Sequence, residues 1–305
     1  MHGAGRRRHT IGPIEAMSPS EHNTAPGAGP GGATVRRRNA QGGHSARSLL
    51  LTVLGEWVLP GGGEAWTATL VAAMATLGVE DKTARQAIAR TADAGLLHST
   101  RFGRRMRWRL SAGAVELLTR GAERIYTFGR PGTHPPWDGR WVLLFTTVPE
   151  SNRAMRYRIR ARLGWSGFAL MGPGAWVSPW TGRRDEALAA LTDLGMGGAS
   201  RSFVGTFEPA GDQRALARQA WGLDQLESDY RAFTRRHREP VTGSDEAAFV
   251  ALTMLVHDWR HFPTADPGLP PELLPSPWSG EQAAELFHRR HARWHPAAAA
   301  WWATR

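Results

Sequence analysis

From Ser45 onward the apolar residues repeat at helical spacing in three successive segments and then at strand spacing in two. This switch of period limits the fold more than any other feature of the chain. Ser45 offers an N-cap, and Leu49, Leu50, Val53, Leu54, Trp57 and Val58 form a stripe that Pro60-Gly61-Gly62-Gly63 ends. Trp66-Thr67 opens a second helix carrying Leu70, Val71, Met74 and Leu77, and Gly78 breaks it. Asp81 caps a third helix reaching about Ala94, with Gly95 just past its end. The strand-like runs Leu96–Arg101 and Met106–Leu110 follow, joined by Phe102-Gly103-Arg104-Arg105 as a hairpin loop. Three helices followed by a two-stranded wing predict a winged helix-turn-helix, closed by a helix from Ser111 to about Tyr126.

After Trp137-Asp138-Gly139-Arg140 the pattern changes again. Trp141–Val148 reads as a buried strand, Ser151–Leu163 as an arginine-laden helix, and Gly167–Met171 and Ala175–Pro179 as two strands. Arg183–Leu194 is a helix and Ser202–Phe207 a last strand, so the order is βαββαβ, that of a ferredoxin-like domain. From Gly211 the chain turns helical: Asp212–Arg238, Ser244–Phe262, a proline-studded loop, then Gly280–His295. Residues 1–44 are rich in Gly and Pro and hold the triplets Arg6–Arg8 and Arg36–Arg38 without apolar periodicity, which predicts a disordered basic arm. The expected class is α+β. The expected domains are the arm at 1–44, a winged helix-turn-helix at 45–128, a ferredoxin-like domain at 129–210 and a helical domain at 211–305.

Composition narrows the chemistry. Thirty-eight basic residues face 27 acidic ones, a formal +11, and Lys82 is the sole lysine. Arginine's rigid fork suits phosphates and guanine edges, so a nucleic-acid partner is expected, although arginine-rich codon usage raises the same count. The absence of cysteine excludes disulfides, thiol nucleophiles, iron–sulfur ligation and Cys-containing zinc fingers. Leu49–Val53 and Ala247–Val256 are too short to span a membrane, and no apolar segment follows Arg6–Arg8, so a cytoplasmic protein is expected.

The third helix carries the sharpest signal. Ala84, Ala87, Ile88 and Thr91 fall on the face toward a small core, leaving Lys82, Thr83, Arg85, Gln86, Ala89 and Arg90 outward. Arginine can read guanine and glutamine adenine from such a face. Arg101, Arg104, Arg105, Arg107 and Arg109 of the wing add positive charge, against the alternative of a merely solvated surface. Gly61-Gly62-Gly63 lacks the Gly-Lys-Ser/Thr of a phosphate loop, and Gly164-Trp165-Ser166-Gly167-Phe168 lacks the second glycine of a nucleophile elbow. His257 and His261 have metal-ligand spacing, and His288, His291 and His295 repeat a helical one, but histidines on helices are common and no metal or catalytic site is assigned. Arg153, Arg156, Arg158, Arg160 and Arg162 wrap most of their helix and read as a solvated face, with a second phosphate-contacting surface as the alternative.

Several blocks together resemble the PaaX family of regulators of phenylacetic acid catabolism. They are Ser45–Leu49, Gly63–Trp66, Ala84–Arg90, Pro136–Trp141, Leu255–Phe262 and Asp266–Pro275 followed by Trp278, spread in order over about residues 45 to 295. The resemblance implies a winged-helix DNA-binding repressor that acts as a dimer and leaves its operator on binding an aryl-acyl-CoA such as phenylacetyl-CoA. A thioester of that kind needs arginines and aromatics together, so Trp137, Arg140, His257 and Arg260 are the effector candidates; the alternative is that the tryptophans pack the core and the arginines are solvated. Lys82, Thr83, Arg85, Gln86, Arg90, Arg104, Arg105 and Arg107 are the DNA candidates. The long basic arm lies outside the family pattern, and Thr91 stands where a larger apolar residue is expected. The middle segment also resembles the small CRISPR-associated ferredoxin-like endoribonucleases, which place a metal-binding aspartate at the end of the first strand. Here that place reads Phe145-Thr146-Thr147-Val148, so no enzyme and no cofactor are expected, a metal-dependent nuclease with a DNA-binding appendage being the alternative function.

Overall fold

Ser45 caps the first described helix, its hydroxyl accepting from the Ser48 N–H at 3.2 Å. The computed structural model describes residues 45–130, 132, 136–149, 151–207, 212–241 and 243–305; the basic arm expected over 1–44 lies outside the described residues. Helix α1 (Ala46–Val53) runs without a break into a π-helical turn, Leu54–Val58, in which the Leu59 N–H reaches back to the Leu54 carbonyl at 2.8 Å. That wider turn buries Glu56, Trp57 and Val58 in succession. Strand β1 (Glu64–Trp66), α2 (Thr67–Thr76) and α3 (Asp81–Asp93) follow, then β2 (Leu97–Phe102), β3 (Arg105–Leu110) and α4 (Ala112–Thr127). The three strands form an antiparallel sheet in the order β1-β3-β2, with Phe102 opposite Arg105 at the hairpin. Strand β1 is not expected from the sequence: three residues give little period, and Trp66 ends this strand instead of opening the helix.

The second sheet is built from β4 (Arg140–Thr146), β5 (Ala169–Gly172), β6 (Ala175–Ser178) and β7 (Ser200–Thr206), all antiparallel in the order β5-β6-β4-β7. Helices α5 (Arg153–Trp165) and α6 (Arg184–Asp193) cover one face, where Val142 and Leu144 meet Ile159, Leu163, Ala187 and Leu191 in a core of their own. Because strand side chains alternate, Trp141, Leu143 and Phe145 point to the other face. Trp141 is buried there, with its indole N–H donating to Gln213 Oε1 at 2.9 Å, whereas Phe145, Met171 and Phe203 are exposed.

Beyond the sheets come α7 (Gln213–Trp221), α8 (Leu223–His237), α9 (Asp245–Trp259), the short α10 (Phe262–Ala265) and α11 (Ser279–Ala303). The single helix expected over Asp212–Arg238 is thus two. Gly222, at φ +64°, ends α7 in the left-handed conformation that glycine adopts without a Cβ penalty, and the chain turns there. The last helix passes its expected end at His295 and tolerates Pro296, because alanines continue it and Trp301 anchors it on Phe249, ring centroids 4.1 Å apart.

Helix α1 and the helices at the other end of the chain are not packed separately. Leu49, Leu50, Val53, Leu54, Ala84 and Ile88 belong to one continuous buried cluster with Phe249, Leu252, Trp259 and Phe287. Buried polar pairs cross the same seam: the Trp57 indole donates to Thr253 Oγ1 at 3.0 Å, and Thr52 Oγ1 lies 2.8 Å from His257 Nδ1. Glu56 is also buried there, accepting from the Tyr126 hydroxyl and bonding His291 Nε2 at 3.0 Å. Burial, and then the Glu56 charge, push the Tyr126 phenol far above its ordinary value, so it stays a donor.

Candidate nucleic-acid interface

Helix α3 lies on the α1/α2 core through one face only. Ala84, Ala87, Ile88 and Thr91 are its buried residues, as the apolar spacing predicts. Thr91, smaller than expected at its position, is fully buried because its hydroxyl donates to the Ala87 carbonyl at 2.7 Å. Lys82, Thr83, Arg85, Gln86 and Arg90 are all exposed on the opposite face. Arg85 is held by Asp81 one turn earlier, Nε to Oδ1 at 2.6 Å and Nη2 to Oδ2 at 3.1 Å. Those hydrogen bonds hold the Asp81 carboxyl below its ordinary value and raise Arg85 above its own. The pair is fully solvated, so exchanging Asp81 for a base edge costs little. Among the described residues, the side chains of Lys82, Gln86 and Arg90 have no ion-pair or hydrogen-bond partner.

The hairpin carries a second set of cations, and here the structure divides them. Arg104, at the tip beside Gly103, has no partner among the described residues, and Arg101 donates to the Gly103 carbonyl at 3.0 Å. Arg105 lies over Trp66 at 5.0 Å from the ring centroid. Arg107 is half-buried: it lies over Phe102 at 4.4 Å and over Trp66 at 5.4 Å, and pairs with Glu64 at 3.1 Å. Arg109 bonds the same carboxylate. Arg107 and Arg109 therefore lock β1 to β3, while Arg104 and Arg105 are the freer pair. Glu64 and Trp66 organise this surface and were missed with the strand that carries them. Their one legible sign was the Glu64-Ala65-Trp66 alternation, in which Ala65 alone is buried.

The four effector candidates fall into two sets with separate partners. Trp137 donates its indole N–H to the carbonyls of Arg140 and Pro179, at 3.0 and 3.1 Å, and packs edge-on against Trp141; the Arg140 side chain is exposed. His257 is buried against Thr52. Arg260 turns its guanidinium to Ser48 Oγ at the start of α1, and burial holds it below its ordinary value. His257 and Arg260 thus sit on the seam between α1 and α9. Trp259, between them in sequence, is wholly buried and stacks on Phe287 at 4.7 Å.

Each histidine with ligand-like spacing has its own use. His261 Nδ1 lies 2.7 Å from the Asp258 carbonyl, His288 Nε2 3.1 Å from that of Phe128, and His295 stacks on Trp57 at 5.8 Å. The Asp258 carboxylate takes Arg236 and His237, each at 2.9 Å. Among the described residues no group of three or more His, Asp or Glu is placed to hold a metal ion, and no helix is long and apolar enough to cross a membrane.

Taken by its architecture, the chain is an α+β protein with two antiparallel sheets, an exposed basic helix and an arginine-lined hairpin. Comparison with known families extends this. Residues 45–114 match the family model described as PaaX-like protein, 134–217 that of the PaaX protein central Cas2-like domain, and 221–304 that of the PaaX-like protein C-terminal domain. The chain belongs to the PaaX family. Transcriptional repressor PaaX of Escherichia coli (strain K12) is 29% identical over 267 residues, which cover 84% of this chain and 82% of that protein. The uncharacterized protein Rv0674 from Mycobacterium tuberculosis shares the fold at TM-score 0.55 and 23% identity, over 84% of this chain and 98% of its own.

Proposed function

We propose that this chain is a sequence-specific, duplex-DNA-binding transcriptional repressor that does no catalysis. The observation that carries the reading is α3: a helix with one small buried face and an opposite face of unpaired Lys82, Gln86 and Arg90 beside Arg85. The likeness to a repressor along most of both chains supports it. In this reading residues 45–128 are a winged helix-turn-helix, with α3 in the major groove and Arg104 and Arg105 on phosphates. Residues 129–210 are a ferredoxin-like domain, supported by the strand order β7-β4-β6-β5, and 211–305 are the helical domain. The exposed Phe145, Met171 and Phe203 on the open sheet face support a homodimer joined there. Half-sites then lie about 10 bp, or a multiple of that, apart.

The effector in this reading is an aryl-acyl-CoA such as phenylacetyl-CoA. Its support is the family and the place of His257 and Arg260, whose partners are Thr52 and Ser48 of α1. A ligand that draws on those side chains competes with the contacts seating α1, against which α3 packs. A tenfold loss of operator affinity needs a difference of about 1.4 kcal/mol between the two conformations. The test is a mobility-shift series on the region upstream of this gene and its neighbours. Arg85→Ala is expected to cost roughly 1–3 kcal/mol and relax sequence preference, while Arg104→Ala weakens all sequences alike and lowers the salt slope by about 1. Phenylacetyl-CoA is then titrated into the complex. Absence of any sequence preference overturns the repressor, and release by free acids but no acyl-CoA overturns the effector.

A further inference from the structure

We infer that α5 is a second DNA-contacting surface, gripping the phosphates of duplex DNA beyond the bases that α3 reads. Its sequence, Arg153-Ala154-Met155-Arg156-Tyr157-Arg158-Ile159-Arg160-Ala161-Arg162-Leu163-Gly164-Trp165, holds five arginines and no acid. Among the described residues none of the five side chains has an ion-pair or hydrogen-bond partner.

For a helix that merely faces water, this composition is poor. Arg156 and Arg160, and Arg158 and Arg162, are like charges one turn apart, each pair destabilising an isolated helix by a few tenths of a kcal/mol. Arg153 stands in the first turn, where no acid is present and a cation opposes the helix dipole. An ordinary solvated face intersperses glutamates at these positions, as Glu116 and Arg120 do in α4 and Glu285 and Arg289 in α11.

The arginines are also arranged. Ile159 and Leu163 fix the buried side. At 100° per residue, the exposed Arg153 and Arg160 then run along one flank and Arg158 and Arg162 along the other, while half-buried Arg156 lies close to Leu163. Between the two flanks lie Ala154, Ala161 and Gly164, which are small, and the two exposed aromatics Tyr157 and Trp165. Two cationic rails flanking a strip of exposed aromatics and small residues set charge toward two phosphate backbones at once, and a major groove about 12 Å wide admits a helix between them. Tyr157 and Trp165, each 66% exposed, supply flat faces for sugars and bases, and Arg124 of α4 lies over Trp165 at 4.4 Å, lengthening the basic track.

This inference rests on the DNA-binding reading, but its test separates the two. The full chain is titrated by fluorescence anisotropy against a duplex of about 12 bp confined to one α3 half-site, too short to pass under α5 as well, and one of about 60 bp carrying the same site. Arg153→Gln/Arg158→Gln/Arg160→Gln/Arg162→Gln keeps helix propensity and removes four charges. It is expected to lose at least tenfold in affinity for the long duplex, with a salt slope lower by about 3–4, and to keep its affinity for the short one within twofold. Ala161→Glu, which sets an acid between the rails and spares every arginine, is expected to show the same length-dependent loss. Unchanged binding to both duplexes, or equal loss on both, overturns the inference. So does loss of binding to vesicles of equal parts phosphatidylserine and phosphatidylcholine while the long duplex is held as before. If short duplexes show no sequence preference, yet the length-dependent grip persists and vanishes in both variants, the repressor reading falls and this surface stands.

Discussion

Replacing Thr253 by valine tests whether the first helices and the C-terminal helices form one cooperative body. Thr253 is fully buried on α9, and its hydroxyl oxygen takes the N–H of Trp57, which is itself 4% exposed. Valine preserves the shape and removes the acceptor, so the indole N–H is left buried and unpaired at a cost of about 1–3 kcal/mol. For a chain of this size roughly 2–4 °C accompany each kcal/mol, which puts the fall in melting temperature near 5 °C. Trp57→Phe followed by Thr253→Val isolates the pair, since the second substitution then leaves no donor stranded and costs at least about 0.5 kcal/mol less. Native-state hydrogen exchange provides the decisive reading. The amides of Ala87 and Ile88 in α3 are expected to lose as much protection as those of Leu252 and Leu255 in α9, because all four residues pack in one cluster. If α9 loosens while α3 keeps its protection, the shared core is not cooperative and the reasoning fails.

Two other perturbations follow from named groups. Burial raises the Asp258 carboxyl, but the hydrogen bonds from His237 and Arg236 outweigh it and leave the group below its ordinary 3.8. A depressed carboxyl contributes stability that is present above the unfolded value and lost as pH falls through the folded one. The melting temperature is therefore expected to drop more steeply below about pH 4 in the native chain than in Asp258→Asn, and parallel curves would refute this. Phe203, 62% exposed and edge-to-face with Phe145 at 6.2 Å, is expected to hold the proposed dimer, so Phe203→Arg should sediment as a folded monomer where the native chain sediments as a dimer; identical sedimentation refutes the sheet-face contact.

Elements with an unambiguous period were legible from sequence to within a few residues. α3 is the clearest, because its four buried residues are small and regularly spaced while the rest of the helix is polar. Errors arose where a single residue overrides a period. Gly222 splits an amphipathic run that continues on both sides of it, and Pro296 fails to end a helix whose far end is pinned by Trp301 on Phe249. Strand β1 left only a three-residue alternation because its support is not local: Glu64 and Trp66 are placed by Arg107 and Arg109, more than forty positions along the chain.

The site was legible to a different depth on its two sides. Charge and spacing alone set Lys82, Arg85, Gln86 and Arg90 on one face, because a helix's outward face follows from its inward one. They did not separate the hairpin arginines, since Arg104 and Arg107 look alike until Glu64, Phe102 and Trp66 are seen to engage only the second. Nor did they reveal that Thr52, Glu56 and Trp57 each meet a polar partner from beyond α1, pairs seventy or more positions apart that no local pattern can encode. Those pairs bear on function through their burial. Because Thr52, Glu56, Trp57, Thr253 and His257 are buried, sliding α9 or α11 against the first helix strands a donor or acceptor, at about 1–3 kcal/mol for each such group. A seam built in this way resists small displacements and gives way all at once. The basic face of α3, packed on α1, is therefore coupled to the C-terminal helices by a few discrete polar pairs as well as by apolar packing.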